Sequence, residues 1–313
     1  MKKEKENNVV EKIQYPHEAL QKVEDTRQVF WKSYRKHNTL KMVIMVLCMA
    51  AIIVAFIVFP TIIKDNSSLQ LGLTIGVAIL ALGGTYGYSV YVRKKFDRKM
   101  REYFELYFNS CNEYVFDNKA FSDVALQNPG KITLEEFNEC ALYKDVIETG
   151  SRGLTTFKYN GLDMSVVDCA GNVKAEKRMK PVFVGKMLRT SAKYDGDYPV
   201  FVYLKGNERA LPPTNLEGVS NVLENEKMVV YSNYKDWKKV LSGGVMKAIE
   251  AIKTDKILVD VAFAIQKGKL FVMLGYDDPL MILPLQQEFD YKPTEIYKAN
   301  MAVVCKVVEA LNK

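Results

Sequence analysis

The chain has 313 residues, 48% of them hydrophobic, and 44 lysines and arginines stand against 37 aspartates and glutamates for a net charge of +7. That excess is local: residues 1–41 carry +4 and residues 93–101 carry +5, which leaves about −2 for residues 102–313 and no basic surplus to suggest nucleic acid as a partner. Only His17 and His37 are histidines, so everything beyond residue 41 lacks the imidazole needed for a histidine triad, a histidine zinc site or a histidine base.

Residues 1–8, MKKEKENN, read as a charged tail with nothing to bury. From Pro16 to Thr39 a helical pattern follows, with Leu20, Val23, Val29 and Phe30 as its apolar positions. Trp31 and Tyr34 suit either an interfacial aromatic belt or packing against another helix. Residues 42–63, MVIMVLCMAAIIVAFIVFPTII, contain no charge, and neither do residues 69–92, LQLGLTIGVAILALGGTYGYSVYV. Each exceeds the roughly 20 apolar residues that cross about 30 Å of hydrocarbon, so both are expected to be transmembrane helices. Residues 64–68 are long enough only to turn the chain, which makes the pair an antiparallel hairpin. Pro60 is tolerated near the end of the first span because few helical bonds remain to be lost there.

The flanks set the orientation. Lys32, Arg35, Lys36 and Lys41 precede span 1 without an intervening acid, and Arg93, Lys94, Lys95, Arg98, Lys99 and Arg101 follow span 2 with only Asp97 among them. Short flanks rich in Lys and Arg stay on the cytoplasmic side, so both ends are expected inside a cell membrane. These bases read first as topology determinants and second as a contact with anionic membrane lipids. Within the spans nothing ionises besides Cys48 and the tyrosines near the end of span 2, which leaves two helices no charged route for transport.

Span 2 carries two GxxxG pairs, Gly72 with Gly76 and Gly83 with Gly87. At about 100° per residue these four fall within roughly 60° of one another, a helix-packing stripe along the whole span. It can serve span 1 of the same chain, which offers Ala50, Ala51 and Ala55, or it can serve a second copy or a protein partner. The five cysteines, Cys48, Cys111, Cys140, Cys169 and Cys305, contain no CxxC pair and read as reduced packing residues.

Beyond span 2 the helix is expected to continue for about 25 residues, with Phe96, Met100, Tyr103, Phe104, Tyr107, Phe108, Cys111, Tyr114 and Val115 at spacings of three and four. This pattern reads as core packing and as a stiff connection from membrane to domain. Asn128-Pro129-Gly130 breaks the chain, and Thr133-Leu134-Glu135-Glu136 supplies a capping box for a short helix to Tyr143. The period then changes to two. Strands are expected at Leu154–Tyr159 and Leu162–Asp168, joined by Asn160-Gly161, a strong hairpin signal. More follow at Val182–Thr190, Tyr198–Leu204 and Met228–Ser232, with turns at Asp195-Gly196 and at Gly206–Asn215, which contains Pro212-Pro213. Residues 235–254 read as a helix weakened at Gly243-Gly244. A second hairpin, Ile257–Ile265 and Lys269–Gly275, turns at Gln266–Gly268, and a helix over Thr294–Leu311 closes the chain.

The expected fold is α+β: a two-helix transmembrane hairpin, a long helix, and a cytosolic antiparallel-sheet domain with packed helices. The segments are 1–41 (cytosolic tail plus helix), 42–63 (span 1), 64–68 (external turn), 69–92 (span 2), 93–143 (helical connector) and 144–313 (α+β domain). No HExxH, GxSxG or P-loop occurs, so no catalytic residue, metal site or cofactor is assigned. Ser242-Gly243-Gly244 lacks the lysine of a phosphate loop. Asp163, Asp168, Asp255, Asp260, Asp277 and Asp278 read as solvated turn or strand residues.

In its ordering the chain resembles a family of uncharacterised bacterial two-span membrane proteins, associated with LemA-type proteins, whose cytosolic domain has no assigned function. The resemblance covers roughly residues 90–310. It rests on Phe183-Val184-Gly185, on Leu216-Glu217, on Val229-Val230-Tyr231-Ser232 before a helix ending near Lys253, and on the hairpin Val259-Asp260-Val261-Ala262-Phe263 to Lys269-Leu270-Phe271-Val272. Where that family carries an acidic stretch after Leu216-Glu217, this chain has Gly218-Val219-Ser220. The resemblance implies architecture and supplies no catalytic residue. The sequence therefore favours a non-enzymatic, membrane-tethered interaction or assembly module with a protein partner or a homo-oligomeric state. The alternative is a His-independent enzyme or small-ligand sensor in the cytosolic domain.

Overall fold

A computed structural model describes residues 14–63, 66–127, 130–176, 178–194, 196–205, 219–277, 283 and 285–313. The charged tail, Lys64-Asp65 of the inter-helix turn, Asn128-Pro129, Asp195, the 206–215 loop, Leu216-Glu217-Gly218 and Asp278 lie outside the described residues. Two long helices, α1 (Glu18–Ile62) and α2 (Ser67–Val115), open the chain. A mixed domain follows: β1 (Phe121–Leu126), α3 (Leu134–Asn138), β2 (Val146–Tyr159), β3 (Leu162–Ala175), β4 (Arg178–Ser191), β5 (Val200–Leu204), β6 (Ser220–Glu224), β7 (Met228–Ser232), α4 (Trp237–Val240), α5 (Gly243–Glu250), β8 (Leu258–Gln266), β9 (Lys269–Tyr276) and α6 (Lys292–Asn312). The described residues form two compact units. One comprises the described residues of 14–20, 108–283 and 290–313, the other those of 21–107 and 285–289.

The first unit is built on a nine-stranded sheet in the order β1-β2-β3-β4-β9-β8-β5-β7-β6, with every neighbouring pair antiparallel. Two tight turns set its register. Asn160 and Gly161 have φ of 48° and 83°, and Lys267 and Gly268 have 47° and 72°. Positive φ at both central residues twists the turn to match the right-handed twist of its strands, so Tyr159 pairs with Leu162 and Gln266 with Lys269. β2 and β3 are 14 residues each and reach well beyond the expected 154–168. Their outer parts contain Gly150, Gly153 and Gly171 and so lack an apolar alternation to read. At Gly153, φ is +65° and a Cβ would stand 2.3 Å from the Phe108 ring, so glycine is required where the β2–β3 register shifts.

One sheet face buries Val167, Cys169, Phe183, Met187, Phe201, Tyr203, Ala262, Ala264, Phe271 and Met273 beneath Phe137, Cys140 and Leu142, which arrive with α3. Thr133 caps α3 as expected: its hydroxyl accepts the Glu136 N–H at 3.1 Å, and Glu136 accepts the Thr133 N–H at 2.7 Å. On the opposite face α6 buries Tyr297, Met301, Val304, Cys305, Val307 and Val308. Asn300 donates to the Tyr276 hydroxyl there at 2.9 Å. The helix expected over 235–254 is divided: α4 ends at Val240, and α5 begins at Gly243 after an extended Ser242. Within the expected connector of 93–143, β1 adds an edge strand whose polar outer positions gave no alternating pattern.

In the second unit, Phe30, Val92 and Phe96 form a small apolar cluster with Tyr34, Tyr88, Met100 and Leu285. Tyr34 meets Phe96 edge-on at 5.2 Å, so it packs against the other helix. Val29, expected in the apolar stripe, is exposed, whereas Val23 and Phe30 are buried.

Candidate functional site

Three groupings of side chains stand out, two on the helical unit and one inside the sheet domain. The first is the apolar surface of the long helices. Each holds an 18-residue window of high mean hydropathy, 3.2 in α1 and 1.6 in α2, and 6% of each window is buried within the protein. Along α2 one row of buried or half-buried positions is Gln70, Thr74, Ala81, Thr85, Tyr88 and Val92, at spacings of three, four and seven; Gly76, Val77, Ala78, Ser89 and Val90 are half-buried as well. Gly72, Gly76, Gly83 and Gly87 lie roughly 180° from that row at about 100° per residue. A Cβ added at any of the four would meet nothing within 4 Å. Among the described residues the four glycines thus have open space beside them, with Gly76 half-buried. Of the three alanines offered by α1, Ala55 is buried and Ala50 and Ala51 are exposed.

The second grouping is the set of bases flanking the apolar windows. On α2 much of this charge is answered locally: Arg93 pairs with Asp97 at 3.9 Å and Arg98 with Glu102 at 3.0 Å. Lys95 Nζ lies 3.2 Å from His37 Nε2, and the other imidazole nitrogen lies 3.1 Å from the Tyr88 hydroxyl. Desolvation, then the charges of Lys95, Lys36 and Lys99, hold the His37 pKa below 6.5. On α1, Arg27 is buried and fixed: its Nε and Nη2 donate to the two Glu24 carboxylate oxygens at 2.7 and 2.6 Å, and its Nη1 donates to the Leu285 carbonyl at 3.0 Å. Glu24 also accepts the Phe289 N–H at 2.9 Å. Burial raises its carboxyl, and the bonds from Arg27, Gln28 and Phe289 outweigh that and lower it. Glu24 and Arg27 share the helix face of Leu20, Val23 and Phe30, and two opposite charges set into an apolar stripe were the signal that could have revealed them.

The third grouping is inside the sheet domain. Lys186 on β4 lies opposite Asp168 on β3, and both are buried or nearly so. The lysine Nζ bonds Asp168 Oδ1 and sits 3.9 Å above the Tyr297 ring on α6. Asp168 Oδ2 is buried without a hydrogen-bond partner among the described residues. Asp168 is thus no turn residue but half of a desolvated ion pair. The sequence reading missed Lys186, although a lysine between Val184 and Leu188 in an apolar run was a legible anomaly. Nearby, Thr294 donates to Cys111 Sγ at 3.6 Å. Burial pushes the Cys111, Cys140 and Cys305 thiols up to about 12 and raises Cys169 as well, so all four are poor nucleophiles near neutral pH.

The other aspartates are distributed. Asp163 is exposed near the β2–β3 turn, and Asp255 accepts the Ile257 and Leu258 N–H groups, each at 2.7 Å. Asp260, expected to face solvent, is half-buried on the face of Ala262 and Ala264, where a Cβ on Gly275 would approach it to 2.8 Å. Gly243 and Gly244 form the first turn of α5. No group of three or more His, Cys, Asp or Glu that could hold a metal occurs among the described residues.

No protein-family model matches the chain, and no curated protein matches it. Among solved structures, the crystal structure of the mycobacterial trehalose monomycolate transport factor A, TtfA, is similar over 65% of this chain and 95% of its own, with 9% identity and a TM-score of 0.34. A likeness of that size carries no argument about fold or activity.

Proposed function

We propose that this chain is a two-span integral protein of the cell membrane, with both termini cytoplasmic, and that it acts without enzymatic chemistry as a membrane-tethered interaction or assembly module. The observation that carries this reading is the exposed apolar surface of α1 and α2, whose most apolar windows are 94% unburied by the protein itself. At about 25 cal/mol per Å² such a surface is strongly unfavourable in water, and a bilayer removes it. Spans at 42–63 and 69–92 place the basic flanks together on one side, as the positive-inside rule requires.

The glycine stripe supports the assembly part. Its glycines have open space beside them, and small residues let a second helix approach closely. The resemblance to two-span membrane proteins agrees with the same architecture. The test is mild cross-linking in native membranes followed by affinity purification of the wild type and a Gly76→Leu/Gly83→Leu variant. A self-dimer or a reproducible partner lost in the variant supports an assembly protein. Identical cross-linked species from both would remove the stripe from the proposal.

One observation favours a second reading, a His-independent enzyme or ligand sensor. The unpartnered Asp168 Oδ2, beside Lys186 and Tyr297, is a desolvated acid–base pair of the kind functional sites employ. Small-molecule screening by thermal shift tests it: a stabilising ligand whose effect vanishes in Asp168→Asn would move the proposal toward this centre.

A further inference from the structure

We propose that the flank of α1 ahead of span 1 binds the phosphate headgroup of an anionic phospholipid, a proposal that rests on the membrane reading above. Between Arg27 and Val43 one face of α1 lines an open groove of about 750 Å³. Arg27 closes one end, immobilised by Glu24. Trp31, Lys32, Arg35 and Lys36 line the middle, and Val43 at the other end belongs to the first turn of span 1. No acidic residue is among the described lining side chains.

The cations here differ from those on α2. Lys32, Arg35 and Lys36 form no ion pair or hydrogen bond among the described residues, whereas Arg93, Arg98 and Lys95 each have a partner. Three like charges within two helical turns repel one another, and an anion between them relieves that repulsion. Arg35 can hold two oxygens of one phosphate with its planar fork, while the two lysines act as movable point charges. Lys36 lies about 9 Å along the axis from Met42 at 1.5 Å per residue, which brings its side chain to the headgroup layer. Free phosphate would satisfy the charges alone. Leu40 and Val43, at the span 1 end, add the apolar border that a glycerolipid needs.

The experiment uses the full chain in detergent, incubated with phosphatidylglycerol or phosphatidylcholine, and reads retained lipid by native mass spectrometry. Two variants are compared: Lys32→Gln/Arg35→Gln/Lys36→Gln, and Lys94→Gln/Lys99→Gln on α2 as a charge-loss control. Carbonate extraction of membranes is run on every form. Expected are a preference of the wild type for phosphatidylglycerol and a weakening of about fivefold per base removed, roughly two orders of magnitude in the triple variant, with the control near wild type. Equal retention by wild type and triple variant would overturn the proposal, as would equal losses in triple variant and control. Displacement of the lipid by millimolar inorganic phosphate would overturn the lipid in favour of a free anion. Extraction of the wild type by carbonate would overturn the membrane reading and this site with it, a pattern distinct from the other failures.

Discussion

Two regions of this molecule hold their hydrophobic residues in opposite ways. In the sheet domain the central strands are apolar on both faces and vanish from the surface: Phe201, Phe263, Phe271 and Leu270 have no exposed surface. In the helical unit the hydrophobic residues run on without alternation and remain outside, with Leu47, Phe56, Ile57, Ile79 and Leu80 each more than 60% exposed. The difference supports the membrane reading proposed above. Strands buried on both faces belong to a fold that makes its own apolar interior, whereas on that reading a bilayer shelters the uniform apolarity of the helices.

The contrast is sharpest where polar groups are buried. Replacing Lys186 by Met leaves Asp168 desolvated without its cation and is expected to destabilise the sheet domain by about 3–5 kcal/mol. Replacing both, Lys186→Met with Asp168→Leu, is expected to recover most of that loss, and thermal unfolding of the full chain in detergent reads both. Next come the glycines. Gly153→Ala forces a side chain into the Phe108 ring at positive φ and should cost about 2 kcal/mol or more, while Gly83→Ala meets open space and should change unfolding by less than about 0.5 kcal/mol. If Gly83→Ala proved as damaging as Gly153→Ala, the stripe would be packed already and the comparison would collapse.

Smaller effects concern the α3 cap. Thr133→Ala removes the hydroxyl that accepts the Glu136 N–H and should cost about 1 kcal/mol. The smallest is a pH effect. The Thr133 N–H, and after it Arg189, hold the Glu136 carboxyl below 4.5 in the folded protein. The unfolded chain therefore takes up this proton first, so the stabilisation is complete above 4.5 and fades as pH falls through the folded value. Glu136→Gln should flatten that acid limb, measurable as a smaller change in unfolding temperature between pH 5 and 3.

Much of this was open to reading in the residues themselves. Asn160-Gly161, Gln266–Gly268 and the Thr133–Glu136 box carry local chemistry that permits few alternatives, and each lies where that chemistry placed it. The long apolar runs likewise announce helices. What escaped was decided by partners distant in sequence. The outer parts of β2 and β3 are glycine-bearing and polar, and they become strands because each completes the other's hydrogen bonds and β4 completes the far side of β3. Lys186 and Asp168 are 18 residues apart and meet only through the β3–β4 register. The direction of the glycine stripe followed from which face of α2 the rows Thr74, Ala81 and Tyr88 turn toward shelter, and a sequence cannot rank two small-residue faces.

The bonds that immobilise Glu24 and Arg27 have a consequence in time. Their partners Phe289 and Leu285 lie 265 and 258 residues downstream. At about 5–20 residues per second, a ribosome needs roughly 13–50 s to deliver them after Arg27 has emerged. Throughout that interval this ion pair lacks the backbone contacts that seal it, and a chain truncated before Leu285 would never acquire them. Completion of the helical unit is thereby made conditional on synthesis of the chain through Phe289.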